Sequence, residues 1–165
     1  MVNSGGRKPS GGRSRGTDAK MELGVIRQTG VVGASPVEVY QAYVDPKKHA
    51  AFTGMPAKGA AVVGGRFTAG DGYISGKYIK LEPKKRIKQE WITTEWPAGY
   101  PPSVLELTLK SKGAGTELTM VHSNVPASQV EYYAGGWKEH YWEPLKEYFS
   151  AVGGRPPRAR RARPK

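Results

Sequence analysis

The sequence "GGWKEHYWEPLKEYF" (residues 135–149) belongs to a longer stretch in which apolar and aromatic residues recur every three or four positions. This spacing is the period of one face of an α-helix. The residues on this face are Val130, Ala134, Trp137, Tyr141, Leu145, Tyr148 and Val152. The pattern predicts a long amphipathic helix near the end of the chain, with Trp137 facing the rest of the fold.

Three residues within this predicted helix oppose regular helical structure. Pro144 has no backbone N–H and its ring clashes with the carbonyl of His140, so we predict a kink there. Gly135 and Gly136 each weaken a helix by about 1 kcal/mol, and we expect them to allow close approach of a loop or strand. The charged residues expected to face water are Lys138, Glu139, Lys146 and Glu147.

The segments upstream of this helix either alternate between apolar and polar residues or are rich in β-branched residues. Turn residues separate them, which is typical of β-strands. Strands are predicted at residues 22–32, 58–63, 65–70, 73–81, 86–96, 104–110 and 116–123. The last two strands are predicted to form a hairpin, because a glycine-rich turn lies between them.

Two short helices are predicted after the first strand. Ser35 is a good N-cap, Pro36 suits the first helical position, and Glu38 completes a capping box. A second short helix is predicted at residues 46–52, ending near Gly54.

The resulting order of elements is β-α-α-β-β-β-β-β-β-α, which is typical of an α+β fold. We expect a curved antiparallel sheet to wrap around the long terminal helix, with space for a cavity between them. The side chains expected to line this core or cavity are Trp137, Tyr141, Leu145, Tyr148, Trp91 and Phe67. Such rings either simply fill the core or hold an amphipathic ligand.

The net charge of +12 is concentrated at the two ends of the 165-residue chain. Residues 1–20 carry five basic side chains and one acid, and residues 153–165 carry six basic side chains and no acid. Both ends have little to bury, which predicts disordered tails on one domain at residues 21–152. The alternatives for the tails are simple solvation, nuclear import, or contact with nucleic acid, acidic protein or acidic lipid. The arginines that would contact a polyanion are Arg158, Arg160, Arg161 and Arg163.

The composition also disfavours several classes of protein. No apolar run approaches the roughly 18–20 residues that span a membrane, and the N-terminal segment lacks the apolar centre of a secretory signal. The absence of cysteine excludes disulfides and cysteine-based catalysis or metal binding. These features predict a cytoplasmic protein without membrane insertion, with a nuclear location as the alternative.

The residue types that serve catalysis do not form a known constellation. The serine of "GYISG" lies one position late for a nucleophile elbow. His49, His122 and His140 are scattered along the sequence, and the i, i+3 spacing of His140 and Glu143 is a weak metal signal by itself. We therefore expect no enzyme, no metal and no cofactor, and we interpret His122 as a hydrogen-bonded, partly buried residue.

Eight short stretches across residues 35–150 form a combination found in a known family. They are "AFTGMPA" (51–57), "GGRF" (64–67), "DGYISG" (71–76), "LEPKKRIKQEW" (81–91), "WPAG" (96–99), "GTELTM" (115–120), "VP" (125–126) and "GWKEHYWEPLKEYF" (136–149). Together they resemble the C-terminal domain of the activators of heat-shock protein 90 (Hsp90) ATPase, in the START-like, helix-grip (Bet v 1-type) superfamily. The resemblance implies a helix-grip fold.

The resemblance also implies two classes of function. The activators are co-chaperones, which implies a non-enzymatic module that binds Hsp90, and here we expect Trp96, Tyr100 and Phe52 as partner contacts. Many single-domain relatives are thought to hold small apolar ligands, which implies a carrier or sensor as the alternative. The separate N-terminal domain of the activators has no counterpart in the residues before the domain, which implies that the chain binds the chaperone weakly, only modulates it, or does not bind it at all. We also expect a monomer.

Overall fold

The computed structural model describes residues 21–154, with side chains described up to Ser150. The strands are β1 (Leu23–Val32), β2 (Lys58–Gly59), β3 (Arg66–Ala69), β4 (Ile74–Glu82), β5 (Arg86–Thr93), β6 (Ser103–Lys112) and β7 (Gly115–Pro126). The helices are α1 (Pro36–Val44), α2 (Pro46–Thr53), α3 (Val130–Trp137) and α4 (Glu143–Gly154). A 3₁₀ turn (Ala127–Gln129) precedes α3, and a π-helical turn (Lys138–Trp142) joins α3 to α4. The predicted tail at 1–20 and the part of the Arg-rich tail after Gly154 lie outside the described residues.

The strands within residues 21–154 form one curved antiparallel sheet in the order β1-β7-β6-β5-β4-β3-β2. Its inner face is apolar because alternate side chains of each strand point to the same side. On β6, the buried residues of this alternation are Leu105, Leu107 and Leu109. The terminal helical segment packs on this inner face, so the predicted α+β fold with two short helices after the first strand is confirmed.

Local capping interactions define the two short helices. The Ser35 hydroxyl accepts a hydrogen bond from the Glu38 N–H, and the Glu38 carboxylate accepts one from the Ser35 N–H. At the start of α2, Asp45 Oδ1 accepts a hydrogen bond from the Lys47 N–H at 2.9 Å. Gly54 ends α2 with a φ of 80°, in the left-handed region that favours glycine. Both predicted short helices are confirmed.

The strand predicted at residues 58–63 is much shorter in the structure. Only Lys58–Gly59 pairs with β3. The chain then bends on itself, because the Gly65 N–H donates a hydrogen bond to the Val62 carbonyl. These residues therefore form a loop between β2 and β3 rather than a continuous strand.

The π-helical turn interrupts the long helix directly before Pro144, where the sequence predicts a kink. In this turn the Glu143 N–H donates to the Lys138 carbonyl, five residues back instead of four. Pro144 follows directly and has no N–H to offer the His140 carbonyl. Instead of a helix that is regular up to a kink at Pro144, the structure has a π-helical turn before the proline, and the helix continues beyond it.

The extra residue in the π-helical turn changes which helix face is buried. A five-residue step takes the buried face from Trp137 to Trp142, and ordinary helical steps then reach Leu145 and Phe149. Tyr148, which an uninterrupted α-helix would bury, is half-buried. The residues predicted to face water are exposed: Lys138, Glu139, Lys146 and Glu147.

A buried histidine fixes the position of Trp137 against the sheet. The Trp137 indole N–H donates to His122 Nδ1 at 3.2 Å, so this nitrogen carries no proton. The proton of the neutral ring is then on Nε2, which lies 2.8 Å from the Ser103 hydroxyl. That hydroxyl donates in turn to the Trp91 carbonyl at 2.6 Å. Burial lowers the pKa of His122 to about 3, which keeps the imidazole neutral at physiological pH.

Replacing Trp137 with Phe keeps an aromatic ring in the core but removes the donor to His122. A buried acceptor without a partner costs about 1–3 kcal/mol, so the free energy of unfolding in urea should fall by at least this amount. Truncation to Ala should cost about 3–5 kcal/mol. The matched control is Trp96→Phe, because the Trp96 N–H donates to the Pro101 carbonyl in an exposed position where water can replace it. Equal losses for the two Phe variants would contradict the anchoring role of Trp137.

Candidate functional site

A cavity of about 570 Å³ lies where α3 and the π-helical turn face the end of α2, the β3–β4 turn and β5. Its lining residues are Thr53, Met55, Gly70, Tyr73, Ile74, Trp91, Glu131, Tyr132, Tyr133, Gly135, Gly136, Trp137, Glu139, His140 and Tyr141. Small-molecule sites in proteins have volumes of roughly 300–1,000 Å³. The size of the cavity therefore suits one small ligand.

Packed aromatic rings form the inner wall of the cavity. Trp91 and Trp137 stack with ring centroids 6.3 Å apart and planes 27° apart. Tyr141 lies 4.5 Å from Trp137, and Tyr133 meets Trp91 edge-on at 5.3 Å. Because these rings contact one another as well as the cavity, the wall is formed before any ligand binds.

His49 holds the hydroxyl of Tyr141 from behind this wall. The Tyr43 carbonyl accepts a hydrogen bond from His49 Nδ1 at 2.8 Å, which places the ring proton on Nδ1. His49 Nε2 therefore accepts the hydrogen bond of the Tyr141 hydroxyl, also at 2.8 Å. Burial lowers the pKa of His49 and raises the pKa of Tyr141, so both groups are neutral.

The polar groups of three wall residues are thus engaged within the protein. The Trp137 N–H bonds to His122, and the Tyr141 hydroxyl bonds to His49. The Tyr133 hydroxyl lies 2.6 Å from the hydroxyl of a strand residue, Thr93. These three side chains consequently offer ring surface, and not free hydrogen-bond donors, to the contents of the cavity.

The rim of the cavity is exposed and polar. Its exposed side chains are Met55, Glu131, Tyr132, Glu139 and His140. At the same rim, the Tyr73 hydroxyl donates to Glu95 Oε1 at 2.6 Å, and burial together with this bond raises the pKa of Tyr73. Glu95, which lies outside the lining, is therefore hydrogen-bonded to Tyr73, whose ring lines the cavity.

Two glycines leave the helix bare where it faces the cavity. A β-carbon built at Gly135 or Gly136 meets no atom within 4 Å, so the expected close approach of a loop or strand does not occur there. The space beside these glycines is the cavity itself. The terminal helical segment instead approaches two glycines of β1: a β-carbon at Gly24 would lie 2.7 Å from the Val130 side chain, and one at Gly30 would lie 3.0 Å from the Trp142 ring.

The structure separates the predicted core and cavity residues into two groups. Those that line the cavity are Trp91, Trp137 and Tyr141. Those that pack in or against the core outside the lining are Phe67, Leu145 and Tyr148. The predicted stripe through Val130 and Ala134 missed Tyr132 and Tyr133, which lie beside it on α3. The available signal was this tyrosine pair, which is separated from two helical glycines by one alanine.

The predicted partner contact at Phe52 is wrong. Its side chain is 1% exposed, because α2 directs it into the core against His49 and Tyr148. The predicted polyanion contacts lie outside the described residues: Arg158, Arg160, Arg161 and Arg163.

The other two predicted partner contacts, Trp96 and Tyr100, are half-buried in the loop of residues 94–102. The strand predicted at 86–96 ends at Thr93, because the Trp96 N–H donates to the Thr93 carbonyl in a turn. The Trp96 ring contacts the cavity residue Trp91 edge-on at 6.1 Å. This loop, named here the tryptophan loop, therefore packs against the outside of the aromatic wall.

The described part of the chain contains neither a metal-binding cluster nor a membrane-spanning helix. Across residues 21–154, histidine and acidic side chains form no group of three or more that is arranged to hold a metal ion. Within the same residues, every helix is too short or too polar to cross a membrane.

Comparison with known proteins points to one family. The family described as "Activator of Hsp90 ATPase homolog 1-like protein" matches residues 33–150. The activator of 90 kDa heat shock protein ATPase homolog 1 of Homo sapiens is 36% identical over 115 residues, which are 70% of this chain and 34% of the human protein. The Dictyostelium discoideum homolog is 29% identical over 117 residues, which are 70% of this chain and 30% of that protein. The chain thus spans about a third of the length of these relatives.

Solved structures show the same fold. An HSP90 activator from Plasmodium falciparum matches with a TM-score of 0.69 and 22% identity, over 78% of this chain and 96% of that chain. CalU16 from Micromonospora echinospora matches with a TM-score of 0.62 and 28% identity, over 78% of this chain and 76% of that chain. The helix-grip fold implied by the sequence is confirmed. Because the family match covers residues 33–150, the chain belongs to the family of activator of Hsp90 ATPase homolog 1-like proteins.

Proposed function

We propose that this chain is a non-enzymatic binding module that contacts an Hsp90-type chaperone and modulates its ATPase. The observation that carries the proposal is the 36% identity to the human activator over 115 residues, within the family match at 33–150. Because the chain spans 34% of the human protein, it corresponds to one part of that activator. We expect weak binding, since one contact surface gains less affinity than two that are linked.

The tryptophan loop is the surface that we propose for this contact. Its Tyr100 is half-buried and is followed by two exposed prolines, Pro101 and Pro102, which restrict the backbone. Aromatic side chains are enriched among the residues that dominate binding energy at interfaces. The loop is also fixed to the 3₁₀ turn that precedes α3, because Gln129 Nε2 donates to the Glu95 carbonyl at 3.0 Å.

Titration of the ¹⁵N-labelled protein with Hsp90 from its own organism tests this proposal. We expect broadening or shifts centred on the tryptophan loop, together with a change in the chaperone's ATPase rate. Tyr100→Ala should weaken binding by about tenfold or more if this ring is an anchor of the interface. Tyr132→Ala, which removes an exposed tyrosine from α3, is the matched control and should have little effect. An unchanged spectrum and an unchanged ATPase rate would refute the co-chaperone proposal.

A second function, carriage or sensing of a small apolar ligand, is supported by a separate observation. The cavity of about 570 Å³ has a preformed aromatic wall whose polar groups are largely engaged elsewhere. Such a wall favours apolar ligands, since it gains contact area without leaving polar groups unpaired. The surfaces proposed for the two functions are adjacent, because the tryptophan loop packs against the outside of that wall.

Substitution of Gly136 tests the ligand function without a large cost in stability. Because the space beside Gly136 is open, Gly136→Ala should preserve ligand binding and raise the free energy of unfolding by about 0.5–1 kcal/mol. Gly136→Leu should fold but place its side chain in the cavity, and so weaken binding of the neutral probe N-phenyl-1-naphthylamine by about tenfold or more. The measurements are probe fluorescence and urea unfolding. A folded Leu variant that binds the probe as the unmodified protein does would contradict this use of the cavity.

A further inference from the structure

The rim of the cavity carries negative charge that the composition of the domain does not explain. Glu131 and Glu139 are exposed and line the cavity, whereas its described lining contains no lysine or arginine. Lys138 is adjacent to Glu139 in the sequence but is not part of the lining. Residues 21–152 are net positive as a whole, so the acidic rim is a local feature.

The two acidic residues lie on either side of the bare segment of the helix. Glu131 and Gly135 are four residues apart on α3, so they share one helix face and their backbone positions lie about 6 Å apart along its axis. Glu139 follows Gly135 by four residues, within the π-helical turn. A ligand group that occupies the open space over Gly135 and Gly136 would therefore lie between these two acidic residues along the helical segment.

The aromatic wall below this space also favours positive charge. The π-face of an aromatic ring is negative and attracts a cation within about 6 Å of its centroid, most strongly for tryptophan. The cavity lining contains six aromatic residues: Tyr73, Trp91, Tyr132, Tyr133, Trp137 and Tyr141. The N–H of Trp137 and the hydroxyls of Tyr133 and Tyr141 bond within the protein, so these three groups are not available as donors to an anion.

We infer that the cavity binds a small organic cation with an apolar body. The body inserts among the rings, and its protonated amine or quaternary ammonium group lies over Gly135 and Gly136 between Glu131 and Glu139. An anion would face two carboxylates without a compensating lysine or arginine in the lining, and a neutral ligand would gain only the apolar contacts. This inference rests on the proposed ligand function and specifies the chemical class of the ligand.

His140 also lines the rim, with Nε2 3.9 Å from Glu139 Oε1, so its imidazole lies beside a carboxylate that the ligand would contact. Binding is best measured at low salt, because exposed charges are screened at physiological ionic strength.

A series of three compounds with one ring system isolates the effect of charge. The probes are the cation 2-(1-naphthyl)ethylammonium, the neutral 2-(1-naphthyl)ethanol and the carboxylate anion of 1-naphthaleneacetic acid. Isothermal titration calorimetry gives their dissociation constants with the full chain. We expect the amine to bind about tenfold more tightly than the alcohol, and the acetate to bind most weakly. The preference for the amine should shrink as salt is added.

Variants at the rim then test the two carboxylates. The double variant Glu131→Gln/Glu139→Gln should weaken the amine severalfold and leave the alcohol unaffected, while the attraction of the aromatic rings keeps a smaller preference for the amine. Glu143→Gln is the matched control, since Glu143 is an exposed acid on the same helical segment outside the lining. It should leave all three affinities unchanged.

The outcomes separate this inference from the function on which it rests. Equal affinity for the amine and the alcohol, or preference for the acetate, would overturn the cation inference while the ligand function stands. A double variant that weakens the amine and the alcohol alike would also overturn it. Absence of binding for all three compounds and for N-phenyl-1-naphthylamine would overturn both.

Discussion

The hydrogen bond from the Trp137 indole to His122 is the interaction on which the rest of the site depends. It joins the terminal helix to β7, and the Ser103 hydroxyl extends it to the carbonyl of Trp91 on β5. A buried polar network is stable only when each member has its partner, so this network allows only one position of the terminal helix against the sheet. That position places the Trp91 and Trp137 rings side by side and so defines the wall of the cavity.

The cavity exists because the helix above this wall is irregular in two ways. The π-helical turn at Lys138–Trp142 moves the buried face by one residue, and Trp142 then packs at Gly30 on β1. One turn earlier, Gly135 and Gly136 supply no side chain to fill the space over the rings. An alanine-rich, proline-free helix of the same length would bury a continuous stripe and leave less room. The features that weaken the helix are thus those that create the site, and the tryptophan loop lies against the same rings.

The sequence was sufficient for the fold but not for the site. Capping at Ser35 and the alternation on β6 are local signals, and they gave the correct elements. The position of Trp137 also followed from its helical stripe. The π-helical turn could not be predicted, because the response of a helix to Pro144 depends on how the following residues pack. The burial of Phe52 similarly depends on its contact with Tyr148, which is distant in sequence and lies on another helix.

Long-range ¹H–¹⁵N NMR of the His122 ring, recorded from about pH 7 to about pH 4, tests the position of the terminal helix against the sheet most directly. We expect a neutral ring with its proton on Nε2 throughout, since burial lowers its pKa to about 3. An unfolded chain binds this proton below about pH 6.5, so the contribution of His122 to stability is full above that pH and declines as the pH falls towards 3. A ring that titrates near pH 6.5 in the folded protein, or that carries its proton on Nδ1, would contradict the bond from Trp137 and the placement of the helix.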